Sequence, residues 1–345
     1  MTIYTIKRTA VVLSLLAVLI ITPLATTKAS DTTFDIQAVS SVLERLSSVL
    51  NQVQVAMGRE PAVLGAESIN VRTSEELFTA LENATGGETI LLEPGSYTLN
   101  LYDKRDTFVT YGSKVTITSA NPQSPATITR LGFSGVHNVT FDNLLFEYQF
   151  SVDDATWYRP FEFARSSKNI VIKNSTFKGA LAQGTGNSAR DGYGAGYGLS
   201  LRNVENIVVE NNTFHSWLRA GVFGSVQGLK VLNNEVYDIR SDGFDFAAVS
   251  DVLIEGNYLH DFRKSPQSSD HMDMIQFWTS GTDVPNTNIT IKDNLLLTQE
   301  GGWTQSIFMR NEAVDTGRSG SEMFYRNITI ENNVIHNAHS HGITL

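Results

Sequence analysis

A nine-residue phrase recurs along this chain, and it constrains the fold more than any other feature. It reads NVTFDNLLF at 138–146, NIVIKNSTF at 169–177, NIVVENNTF at 206–214 and GLKVLNNEV at 228–236. It returns as DVLIEGNYL at 251–259, NITIKDNLL at 288–296 and NITIENNVI at 327–335. Apolar residues alternate, which is the pattern of a strand with one buried face. A polar pair usually ending in Asn follows, and Asn tolerates the left-handed backbone of a tight turn. Stacked copies would bring these Asn side chains into a hydrogen-bonded ladder. The six Asn-x-Ser/Thr triplets, mostly inside this phrase, therefore read as structural. A second strand phrase precedes most copies, as in YGLSLRN at 197–203, DGFDFAAV at 242–249 and DMIQFWT at 273–279. The shortest repeats, 22 and 23 residues, match one solenoid coil, and the longer ones carry insertions. The expected fold is all-β, a right-handed parallel β-helix occupying residues 66–345.

The termini add two expectations. Thr73 or Ser74 can cap a short helix carrying Leu77 and Leu81, ended at Gly86-Gly87. Such a helix would cover the open end of the stack. The chain stops at Leu345 inside a strand phrase, which reads as a β-helix lacking its C-terminal cap.

Ahead of the repeats, Lys7 and Arg8 precede an apolar run from Thr9 to Ala25, with small residues at Thr27, Ala29 and Ser30. Residues 1–30 thus read as a signal peptide for a secreted or periplasmic protein, with no stable membrane insertion after cleavage. Residues 31–65 read as a linker with an amphipathic helix over 36–56. The chain has 345 residues, a formal charge of −10 and no cysteine. Lys7, Arg8 and Lys28 carry +3, so cleavage takes −10 to −13. So acidic a chain is not expected to bind nucleic acid. An acidic substrate would need a local cationic strip or a bridging cation. Without disulfides, stability must come from a continuous core.

Aligning the second phrase places Leu199, Val222, Phe244, Ile275, Ile307 and Ile343 in one inward column. Ser200, Phe223, Asp245, Gln276, Phe308 and Thr344 then point outward, followed by Arg202, Ser225, Ala247, Trp278 and Arg310. Arg202, Gln276 and Trp278 are candidate substrate-binding residues, since amide, aromatic and guanidinium groups suit a sugar chain. Insertions at 179–196, 262–272, 279–287 and 312–325 would wall this face as a groove. The sharpest cluster is Asp270-His271-Met272-Asp273, one coil beyond Asp242-Gly243-Phe244-Asp245. Stacked acids raise one another's pKa or share a cation, which makes Asp242, Asp245 and Asp273 a candidate Ca²⁺ site. No organic cofactor is expected. Asp245, His271, Asp273, Lys264 and Arg310 are the candidate catalytic residues, for proton transfer or for neutralising a carboxylate. The alternative for each is an ordinary turn cap or surface charge.

The 72–98 stretch, the Asn-bearing coils and the 242–245 and 270–278 segments together resemble exported β-helix enzymes of uronate polysaccharides. These are the alginate lyases of the chondroitinase-B-like group and the mannuronan C-5 epimerases, of the single-stranded, pectin-lyase-like solenoid class. The likeness covers most of 66–345. Epimerases of that family carry Tyr-Gly-Phe-Asp-Pro-His. This chain keeps Asp245 but has Asp242 at the Tyr and Ala247 at the His, so His271 would have to supply the missing group. The resemblance implies an acidic polysaccharide such as alginate as partner and C-5 proton abstraction as chemistry. His271 or Lys264 would be the base, and Arg310 or Arg202 the carboxylate ligand. Elimination is the expected outcome, with epimerisation the alternative. Two other classes stay open: a hydrolase using paired Asp, recognised by reducing ends without unsaturation, and a non-catalytic binder or adhesin, whose binding would survive loss of Asp245, His271 and Asp273.

Overall fold

The computed structural model describes residues 68–100, 110–337 and 339–345. The chain divides into units 1–63 and 64–345, and the described residues belong to the second. The signal-like segment and the linker helix lie outside them. Among the described residues, no helix is long and apolar enough to cross a membrane.

The repeats form a parallel β-helix, with three strands per coil where two were expected. The nine-residue phrase holds two of them, because its polar pair bends the chain midway. A long-strand sheet runs through His137–Asp142, Lys168–Lys173, the second halves of Tyr197–Glu210 and Arg219–Leu232, Ser250–Glu255, Thr287–Lys292 and Arg326–Glu331. A short-strand sheet follows the bend, from Leu145–Glu147 to Val334–His336. The third sheet contains Phe161–Ala164, the first halves of the two long strands, Phe244–Ala247, Asp273–Trp278, Gln305–Met309 and Ile343–Thr344. These pairings are parallel; Ala180–Leu181 and Gly194–Ala195 form a small antiparallel pair in the first insertion.

The polar pair divides its work between its members. The first takes the left-handed backbone, as in Asn211 (φ 55°), Asn233 (53°), Asp293 (56°) and Asn332 (54°). The second points inward and builds the ladder. Asn212, Asn234, Asn257, Asn294 and Asn333 bond amide to amide at 2.9–3.1 Å. Each amide also reaches a backbone carbonyl, so the four buried members, Asn212 to Asn294, are satisfied. Asn138, Asn169 and Asn206 form a second ladder at 2.9 and 3.3 Å.

Inside, apolar columns fill the coil, with Phe146, Phe177 and Phe214 stacked at 4.3 and 4.5 Å. The helix Ser74–Asn83 carries Leu77, Ala80 and Leu81 into this core. Its cap is Thr73, whose Oγ1 accepts from the Glu76 backbone N–H. Tyr111, in the strand Thr110–Ser119 that pairs with His137–Asp142, donates its hydroxyl to the Leu81 carbonyl.

The third sheet corrects one register. Leu201, Phe223 and Phe246 pair in a single inward column, and Ser200, Val222, Asp245 and Gln276 in the outward one. The expected alignment was one residue out at 221–224. Phe223 is fully buried, Val222 takes the outward place, and Gly224 rather than Ser225 lies between Arg202 and Ala247. Both residues of Val222-Phe223 are apolar, so alternation alone left the choice open. Ring packing of Phe223 against Phe246 at 5.3 Å decides it.

Candidate active site

One polar column runs along the mouth of the third sheet. The register that pairs Gly221 with Phe244, Phe244 with Ile275 and Ile307 with Ile343 stacks Arg219, Asp242, Asp273, Gln305 and His341 in order, with Tyr197 before them. Each member touches the next. Arg219 lies 3.0 Å from Asp242 Oδ2. The Asp273 backbone N–H donates to Asp242 Oδ1 at 3.2 Å. Gln305 Nε2 donates to Asp273 Oδ1, and its Oε1 meets His341 Nδ1, both at 2.7 Å.

Arg219 also reaches Asp245 Oδ2 at 3.0 Å, an ion-pair distance without hydrogen-bond alignment. Its guanidinium lies over the rings of Tyr197 and Trp278, 5.6 and 5.5 Å from their centroids. Asp242, Asp245 and Asp273 are fully buried. Burial pushes the Asp242 carboxyl up to about 6, with Arg219 pulling the other way. Burial also raises the Asp245 carboxyl, well above the usual carboxylate range. Despite desolvation, the two carboxylates hold Arg219 protonated.

His271 is the exposed member of this group. Its Nδ1 lies 2.9 Å from Asp273 Oδ2 and 3.7 Å from Asp242 Oδ1, and its side chain is 57% exposed. The Asp273 bond raises its pKa to about 8 against the opposing effect of burial. With Nδ1 turned to the acids, Nε2 is directed away from them and is available for proton transfer.

The other expected residues scatter. Asp270 stands apart from the acid group, bound to Arg240 at 2.8 Å. Lys264 donates Nζ to the Asp270 carbonyl and borders a small cavity beside His271. Arg202 is paired with Glu162 at 2.6 Å. Arg310 lies 3.4 Å from Asp315 and borders a different cavity, with Phe308 and Tyr325. Gln276 is buried and Trp278 half-buried beside Arg219. The insertions at 179–196 and 262–272 meet: Ser265 donates to the Ser188 carbonyl at 2.9 Å, and Arg263 lies over the Tyr193 ring at 5.2 Å.

Asp242, His271 and Asp273 bring one donor atom each within 4.8 Å. This differs from the expected trio, since Asp245 gives way to His271. Ca²⁺ takes roughly six to eight oxygen ligands, and two carboxylates plus an imidazole nitrogen do not fit it. Arg219 already sits on Asp242 as its counter-charge.

Sequence reasoning missed Arg219, Gln305 and His341. Continuing the column alignment two positions upstream of Ile307 and Ile343 finds Gln305 and His341, whereas Arg219 needed the corrected register, since Ala220 lies two positions upstream of Val222.

Fold and site define a solenoid with a polar, partly cationic column along one lateral sheet. The chain belongs to the right-handed β-helix family: the model of a right handed beta helix region matches residues 133–345. No curated protein matches it in sequence. Among solved structures it is similar to the Streptococcus pneumoniae surface protein and adhesin PfbA, at 14% identity over 81% of this chain and 85% of that one, TM-score 0.49. It is also similar to an alginate lyase from Paenibacillus sp. str. FPU-7, at 10% identity over 76% and 99%, TM-score 0.34. The A-module of a mannuronan C-5 epimerase from Azotobacter vinelandii follows at 12% identity over 79% and 98%, TM-score 0.23. At such identities no residue role passes from those proteins to this chain.

Proposed function

We propose that this chain is an extracellular carbohydrate-active enzyme that cleaves a uronate polysaccharide by β-elimination, with His271 as the base. The observation that carries this reading is the Asp273–His271 pair, 2.9 Å apart, with the carboxylate fully buried and the imidazole exposed. A buried acid orients the ring and stabilises its cation, so that Nε2 can accept a proton from a bound sugar. In the proposed step Nε2 takes the C-5 proton. The electron pair released forms the C4–C5 double bond, the bond from C-4 to the glycosidic oxygen breaks, and that oxygen takes a proton from the imidazolium or from water. Positive charge near the sugar carboxylate stabilises the enolate-like intermediate.

The hydrolase reading fits less well. A glycosidase acid must touch the glycosidic oxygen, whereas Asp242, Asp245 and Asp273 are fully buried and two of them face Arg219. Epimerisation shares the first step and differs only in the fate of the intermediate.

The test is incubation with alginate, pectate and glycosaminoglycans, following absorbance of the unsaturated product. One of them should yield it, and His271→Gln should slow its formation by about 10²–10⁴-fold. Exchange of the C-5 proton in deuterated water without cleavage would identify an epimerase instead. Neither signal with any uronan would overturn the proposal.

A further inference from the structure

Proton removal from a uronate requires its carboxylate to be held beside the base. Next to His271 lies a cavity of about 120 Å³ lined by Lys264, His271, Met272, Trp303, Gln305 and His339. No acidic residue lines it, although the chain carries a net charge of −10. Lys264 enters from the 262–272 insertion and spends one N–H on the Asp270 carbonyl. An ammonium has three, so two remain for an anion. Trp303 lies ahead of the Gln305–Met309 strand and is 73% exposed. Its ring meets His339 edge-on at 6.5 Å, and His339 stands 4.9 Å from His341. His341 is in turn anchored through Gln305 to Asp273, the acid that holds His271. The cavity and the base are therefore positioned by the same polar column.

An ammonium and an imidazole beside an open indole face match a pyranose ring bearing a carboxylate. The anionic group pairs with nitrogen donors while the apolar ring face lies on the aromatic surface. We propose that this cavity is the carboxylate subsite: Lys264 and His339 hold the carboxylate of the uronate whose C-5 faces His271, and Trp303 is the platform for that sugar or the next. The inference rests on the reading of His271 as the base and deepens it by assigning the group that selects acidic over neutral sugars.

Binding can be separated from turnover. The full-length His271→Gln chain is titrated calorimetrically with tetrasaccharides from alginate and pectate, and with the same tetrasaccharides after reduction of their carboxyl groups to alcohols. At least one acidic tetrasaccharide should bind about tenfold or more tightly than its reduced form. Adding Lys264→Gln or Trp303→Ala should weaken the acidic form by about tenfold each, with the thermal melt unchanged. Lys264→Gln should leave the reduced form unaffected. Equal affinity for acidic and reduced forms, no measurable binding of either, or unchanged affinity in both double variants would overturn the subsite. Discrimination by the carboxylate without any unsaturated product from the unsubstituted chain would sink the elimination reading and leave the subsite standing.

Discussion

His271 and the acids behind it govern how the site responds to pH. The imidazole is raised to about 8 chiefly by Asp273, and a base must be unprotonated. The rate of unsaturated-product formation should therefore rise with pH through about 8 and then level. Asp273→Asn removes the main cause of the shift, so the surviving activity should show its midpoint moved down toward 6.5. A midpoint unmoved by that substitution would assign the titration to another group. Stability should follow the opposite slope. A histidine with a raised folded pKa contributes stability that is complete below its ordinary 6.5 and is lost as pH rises through about 8. Asp242, raised from 3.8 to about 6, binds its proton more tightly in the folded chain, so unfolding becomes easier as pH rises across that range. Melting temperatures from pH 4 to 9 should decline, and His271→Ala should remove the part above 6.5. Arg219 is the counter-charge for two buried carboxylates. Arg219→Met should cost about 3–5 kcal/mol in urea unfolding at pH 7, less at pH 4, where protonated Asp242 needs no partner.

At the scale of the strand and its turn, the polar pair decides whether coils can stack. Asn257 donates to Asn294 and to the Val231 carbonyl, and its carbonyl oxygen accepts from Asn234. Asn257→Ala removes the acceptor shared by the Asn234 backbone N–H and amide and should cost about 1–3 kcal/mol of unfolding free energy. Gly228 stands where five of the other copies of the phrase begin with Asn and one with Asp251. It sits at φ +73°, and a Cβ there would lie 2.7 Å from Asn206 Oδ1. Gly228→Ala should therefore destabilise the chain, by about 1–2 kcal/mol from the left-handed backbone alone. A cost no larger than that in the same unfolding series would mean that the Asn206 side chain moves aside with little penalty, and a neutral outcome would overturn the backbone argument.

Across the whole solenoid, each coil contacts mainly its neighbours, so local damage should stay local. The N-terminal helix covers the first coils with Leu77 and Leu81. Leu77→Ala should cost about 2–5 kcal/mol and should raise hydrogen exchange first in Ser68–Val71 and Thr89–Leu92. Amides of Asp273–Trp278 should keep their protection. Equal loss across both regions would show that the coils open as one unit.

Alternation and the polar pair were enough, without any structure, to establish the stacked parallel coils, as were the Thr73 cap and the Leu77–Leu81 spacing for the N-terminal helix, because these features are local. Strand period and turn chemistry act within a few residues, and repetition multiplies the signal. The pairing of Asp273 over Asp242 was legible for the same reason: it follows from counting along adjacent strands. What only the tertiary structure decided depends on groups that come from different coils and insertions. Sequence placed Asp245 on an outward face. The structure shows it fully buried, because Arg219, one coil away, covers it while lying against Trp278. Asp270 was read with the acids, but Arg240 holds it elsewhere. Trp303 and His339 share a cavity with His271 only because the segment ahead of Gln305–Met309 and the last described coil converge beside it. Period and turn chemistry set where each backbone position lies along the stack; packing between coils decided which side chains share a site, how much water reaches them and which carry charge.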